Sequence, residues 1–292
     1  MIRYPLSGLL LFWLVLSSCG PGTENSGKPV VSVSILPQRY FIDRIAGDLV
    51  DVNVMIPPGA SPATYEPTVS QLSKLSRSPL YMRIGYVGFE LSWMDKISSV
   101  NPEMKIVDLS QGIELLSEGD AGEPANGEHT HEGTDPHVWM SLVNAKIIAQ
   151  NVFDEIVILF PGERETMRLQ LERLLWEIDS LHLHISDMLA SYPSKGFMIY
   201  HPALTYFARD YNLKQYSLEL GGKTPSPAHL RWMIDLGREQ QISVIFLQRQ
   251  FEQRNAEVLA GEIGAKIIMI DPLDPDWFTQ IGYIADQLNA AF

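Results

Sequence analysis

The stretch 163–189 constrains this chain more than any other. Met167, Leu171, Leu174, Leu175, Ile178, Leu181 and Ile185 recur every three or four residues, the period of one helix face. At 1.5 Å rise per residue such a helix extends about 40 Å, the width of a domain. On either side of it, short apolar runs alternate with helical patterns, which reads as βα units and a mainly parallel sheet. A helix of that length between two βα regions can serve as a connecting rod. The chain has 292 residues, 46% of them hydrophobic and 20% charged. That is enough apolar material for one or two cores, and a mostly disordered chain is excluded.

In the first region, 30–36 alternates as a strand with one polar face and stops at Pro37. A helix is expected over 40–46, ended by Gly47, and a strand over 50–56, broken by Pro57-Pro58-Gly59. A short helix over 68–76 and strands over 80–84 and 105–109 follow. The segment 114–134 is rich in Gly, Glu, Asp and Asn and reads as a mobile surface loop. A helix is expected over 141–159, interrupted by Pro161-Gly162. Beyond the rod come strands over 196–200, 243–247 and 266–270, with helices over 204–210, 227–240, 255–263 and 277–288.

The amino terminus points to a compartment. Arg3 followed by the apolar run 9–16 reads as an export signal. Leu16-Ser17-Ser18-Cys19 resembles the bacterial lipobox, which implies removal of 1–18 and lipidation of Cys19. Residues 19–28 then form a flexible tether. Cys19 is the chain's single cysteine, so a disulfide framework and any multi-thiolate zinc or iron–sulfur site are excluded. No later segment is long and apolar enough to span a bilayer. The formal net charge of −13 argues against a nucleic-acid partner, which requires a basic footprint.

In open parallel sheets, ligands bind beyond the carboxyl ends of the strands. Those positions hold His201, Gln248 and Asp271 in the second region. In the first they hold 57–67 and the segment around His137. Imidazole and carboxylate are both ligands for zinc at ~2.0–2.2 Å. The same residues also serve as turn formers and helix caps, and the spacings contain no compact ligand motif. His182 and His184 stand two apart on the rod, on different faces, and read as solvated. His229 reads as structural.

Four groups of residues carry a resemblance. The segment 58–67 (Pro-Gly-Ala-Ser-Pro-Ala-Thr-Tyr-Glu-Pro) and Asp135-Pro136-His137-Val138-Trp139-Met140 are the first two. The run from Phe197 to Ala203 with Tyr206 to Tyr211 is the third. Ile245 to Gln248 and Ile270 to Leu273 are the last. In this order they resemble the metal-binding substrate-binding proteins of ABC transporters, the zinc and manganese branch. The resemblance implies an α/β fold of two similar lobes with mainly parallel sheets. The lobes are 29–160 and 192–292, joined by one rigid linker helix within 161–191, with a metal held in the cleft between them. It implies His137, His201 and Asp271 as ligands. A His at position 201 favours Zn2+, with Mn2+ as the second candidate.

Ala63 stands where the resembled pattern has a His, and a methyl group coordinates nothing. Glu66, Tyr65, Gln248, water and a His from the loop 114–134 are the candidates for a fourth ligand. His129 and His131, in Glu-His-Thr-His-Glu, resemble a shortened metal-gathering loop. The implied function is capture of Zn2+ outside the cytoplasmic membrane and delivery to an ABC permease. The protein is expected to be a monomer and not an enzyme, lipid-anchored in a bacterial envelope on the periplasmic side or at the cell surface. Capture needs deprotonated imidazoles, so affinity is expected to fall as pH drops toward the ordinary His value of ~6.5. Two alternatives belong to other classes. Three ligands and an open position also describe a hydrolytic zinc site, although His-Glu-x-x-His and Gly-x-Ser-x-Gly are both missing. An adhesion or structural lipoprotein without metal binding would accommodate Ala63.

Overall fold

The computed structural model describes residues 27–117, 133–219, 221–251 and 253–292. The expected export signal, Cys19, most of the tether, and His129 and His131 lie outside the described residues. So do residues 118–132 of the expected loop 114–134.

The first lobe is built from β1 (Val30–Val33), α1 (Leu36–Ala46), β2 (Asp51–Val54), α2 (Val69–Leu75), β3 (Leu80–Arg83), α3 (Gly88–Val100), β4 (Lys105–Asp108) and α4 (Leu142–Leu159). Its four strands are parallel in the order β2-β1-β3-β4. The rod is α5 (Arg164–Leu189). The second lobe follows with β5 (Gly196–Ile199), α6 (Thr205–Asp210), β6 (Lys214–Ser217), α7 (Pro227–Glu239), β7 (Val244–Gln248), α8 (Gln253–Ile263), β8 (Lys266–Ile270) and α9 (Trp277–Ala291). Its parallel sheet has the equivalent order β6-β5-β7-β8. The fold is thus two α/β lobes with one long helix between them. Among the described residues no helix is long and apolar enough to cross a membrane.

Several boundaries correct the expectations. β1 ends at Val33, and α1 takes in both Leu36 and Pro37. Proline is compatible there because first-turn N–H groups have no partner within the helix. The Gln38 amide oxygen accepts the N–H groups of Ser34 and Ile35, each at 2.9 Å, and so seals that end. Gly47, at φ 53°, closes α1 as expected. Neither α3 nor β6 was foreseen. β6 reads as polar in sequence, yet Gln215, Tyr216 and Ser217 are buried. Gln215 meets its hydrogen-bonding needs at α6, accepting Leu204 N–H at 2.7 Å and donating to Thr205 Oγ1 at 3.0 Å.

One apolar core runs from the first lobe through the rod into the second. It includes Phe41, Ile148, Leu174, Ile178, Phe207, Trp277 and Leu288. A smaller core, with Met198, Leu218, Met233 and Leu259, lies within the second lobe. His182, expected in solvent, instead sets Nδ1 3.1 Å from the Tyr211 hydroxyl, because this turn of α5 lies against the end of α6.

Candidate metal site

His137 opens the 3-10 turn Val138–Met140 that leads into α4. His201 follows β5, at the carboxyl edge of the second sheet. The fold brings these two distant residues together, with Nε2 3.3 Å from Nε2 and ring centroids 5.0 Å apart. Each ring is held from its other side. His137 Nδ1 is 2.8 Å from Asp135 Oδ1, which also accepts the His137 backbone N–H at 2.8 Å. His201 Nδ1 is 3.0 Å from Glu219 Oε2. Asp135 and Glu219 are both buried, at 1% and 6% exposure. Phe251 lies nearly parallel to the His201 ring, 5.3 Å away.

This arrangement sets the chemistry of the imidazoles. A carboxylate can only accept at Nδ1, so in the neutral form of each imidazole the proton sits on Nδ1 and Nε2 keeps its lone pair. Two lone pairs then face one another across a gap that suits a cation. Two nitrogens each ~2.0–2.1 Å from one tetrahedral ion stand about 3.3 Å apart. Burial by itself would raise the Asp135 carboxyl. The charge of His137 and hydrogen bonds from His137 and Thr205 outweigh burial and hold it below the ordinary carboxylate value.

The remaining expected residues are placed as follows. Asp271 lies just beyond β8, and its Oδ1 accepts Leu273 N–H at 3.0 Å. Burial and the neighbouring Asp274 raise its carboxyl, against hydrogen bonds from Leu273 and Gln250 and the charge of Arg249. Next to it, Pro272 O accepts the indole N–H of Trp139 at 2.8 Å, which ties this strand end to the His137 turn. The three expected ligands nevertheless do not form one cluster. Among the described residues, no three His, Cys, Asp or Glu side chains stand ready to hold an ion.

Gln248, the strand-end candidate for a fourth ligand, has its amide engaged by the backbone of His201. Its Oε1 accepts His201 N–H at 3.2 Å and its Nε2 donates to His201 O at 2.7 Å, so the whole amide clamps the His201 backbone. The Tyr65 hydroxyl is likewise occupied, donating to Gln71 Oε1 at 2.8 Å. Glu66 and Ala63 are exposed on the loop before α2. The Ala63 backbone lies close against Gly88, the first residue of α3.

Asp135 and Glu219 are the residues that sequence reasoning missed. Asp135 opens the segment Asp135-Pro136-His137, and a carboxylate two positions before a His is a signal for an orienting partner. Glu219 lies just past the end of β6, and the strand-end rule would have found it had β6 been recognised.

The profile of the zinc-uptake complex component A periplasmic family, ZnuA, matches residues 31–291. The chain belongs to the ZnuA family. It is 27% identical over 271 residues to the zinc-binding lipoprotein AdcA of Streptococcus pneumoniae, covering 89% of this chain and 53% of that protein. The chain therefore spans about half the length of that relative. It is also 27% identical over 285 residues to the high-affinity zinc uptake system protein ZnuA of Bacillus subtilis, covering 92% of this chain and 88% of that one. A solved crystal structure of ZnuA superposes with a TM-score of 0.82 at 35% identity, over 90% of this chain and 99% of that one. A ZnuA deletion mutant with zinc bound gives the same TM-score and identity. The two lobes and the rod are thus a ZnuA-type architecture.

Proposed function

We propose that this chain captures Zn2+ outside the cytoplasmic membrane and delivers it to the membrane permease of an ABC transporter. The observation that carries the reading is the pair of Nε2 atoms 3.3 Å apart, each on a ring whose Nδ1 is held by a buried carboxylate. Nitrogen ligands suit zinc better than the harder manganese ion, which leaves Mn2+ as the weaker cargo. The names of the relatives, a zinc-binding lipoprotein and a zinc uptake protein, favour the same ion.

Asp271 is the third ligand in this reading. The Trp139–Pro272 hydrogen bond keeps its strand end beside the His137 turn, and binding of the ion would draw its carboxylate in. Water or Glu66 fills the fourth position, since Ala63 has no donor atom. Cys19 carries the lipid that keeps the loaded protein near its permease. The work done is binding and release, with no bond made or broken in the cargo.

Isothermal titration of chelator-treated protein with Zn2+ and with Mn2+ tests the reading. Zn2+ is expected to bind the more tightly, and His201→Ala to weaken Zn2+ binding at least about 100-fold, because one of two facing nitrogens is lost. Wild-type protein that takes up neither ion would favour a structural lipoprotein instead.

A further inference from the structure

The two imidazoles come from different lobes in the chain, but one short helix, α6, touches both of the segments that carry them. The loop just before α6 carries His201. Successive α6 side chains then reach the segment that carries His137. Tyr206 is fully buried, and its hydroxyl uses both of its functions: it donates to Asp135 O at 2.9 Å and accepts Leu116 N–H at 3.1 Å. Thr205 hydrogen-bonds the Asp135 carboxylate. Further along, Arg209 donates to Asn144 Oδ1 at 3.3 Å and Asp210 accepts the Ser141 hydroxyl. Contacts of α6 with 135–144 thus help to set the separation of the two Nε2 atoms, alongside Gln248 and Glu219, which hold His201 from the second sheet.

We propose that Tyr206 is a positioning residue for the imidazole pair: its hydroxyl fixes the backbone of Asp135, and Asp135 in turn aims His137 Nε2 at His201. This rests on the metal-site reading above. A phenol suits the task because only two side-chain torsions define its tip, and here the tip is locked from both sides. Metal sites tolerate ligand displacements of only a few tenths of an ångström, and loss of a supporting partner typically costs ~10–100-fold in metal affinity.

The test is Tyr206→Phe in the full chain, titrated with Zn2+ and, for its visible absorption, with Co2+. Tyr211→Phe is the control. Tyr211 is also buried and hydrogen-bonded, but its hydroxyl meets His182 on α5 rather than the backbone of Asp135. Tyr206→Phe is expected to bind Zn2+ about 10-fold more weakly and to change the Co2+ spectrum, while Tyr211→Phe matches wild type in both. If Tyr206→Phe does not fold, Thr205→Val reports on the same mounting through the carboxylate of Asp135. Wild-type Zn2+ affinity in Tyr206→Phe overturns the proposal, as does an equal loss in both Tyr variants, which would mark a purely structural role. A His201→Ala variant that binds Zn2+ like wild type would sink the site reading itself, whatever the Tyr variants do.

Discussion

Each imidazole of the pair has two nitrogens, and the fold gives one to a carboxylate and leaves the other for the ion. Both His residues are readable in the sequence, His201 by its place just past β5 and His137 by the motif around it. Their carboxylate partners are less so, because Glu219 acquires its role only when β6 pairs with β5. A different carboxylate invites a prediction at this scale. Glu90 is buried in the first turn of α3, where it accepts the N–H groups of Ile84 and Gly85, each at 2.8 Å, and the Ser34 hydroxyl. Burial pushes its pKa up to about 7, against those hydrogen bonds and the charge of Arg83. The folded protein thus holds this proton more tightly than the unfolded chain does. The stabilisation from Glu90 is complete below its ordinary value of 4.5 and is lost as pH rises through about 7. Urea unfolding of wild type and Glu90→Gln on both sides of that window should show the wild type losing ground to the variant as pH rises. A gap that stays constant with pH would refute the assignment.

At the scale of elements, apolar periodicity located the long regular pieces well, and α5 and β8 lie where their patterns put them. It failed where burial and polarity part company, as in β6, and where a proline sits inside a first turn, as in α1. Close packing adds constraints that no pattern displays. A Cβ on Gly196, the first residue of β5, would stand 2.7 Å from Tyr216 Cε2 and 2.8 Å from Ile242 Cδ1. The Tyr216 ring comes from the neighbouring strand and is itself buried, so it has little room to yield. Gly196→Ala should therefore destabilise the protein by roughly 1–3 kcal/mol, read as a lower urea midpoint at unchanged slope. An unshifted midpoint would mean that the strand end relaxes freely.

Across the whole molecule, the two lobes share one core. Trp277 of α9 packs its ring 4.9 Å from Phe41 and 5.5 Å from Tyr40 of α1. Its indole N–H donates to Trp139 O at 2.8 Å, while Trp139 donates to Pro272 O. These contacts join α1, α9 and the His137 turn, so the lobes should not melt separately. Tryptophan fluorescence and far-ultraviolet circular dichroism are expected to report a single coincident unfolding transition. Trp277→Ala should lower stability by about 3–5 kcal/mol, as removal of a large core aromatic does. Two resolved transitions in the wild type would show that the lobes fold independently.

The sequence by itself determined most of the βα units, α3 and β6 excepted, the rod between them and the chain positions of the two imidazoles. Periodicity and strand-end placement are local properties, written in runs of a few residues. Tertiary structure decided what those imidazoles touch. It recruited Asp135 and Glu219, set the Gln248 amide on the His201 backbone, and braced the segments of both rings through α6. Those outcomes depend on hydrogen bonds between segments far apart in the chain, and their partners exist only once the sheets and the shared core have formed.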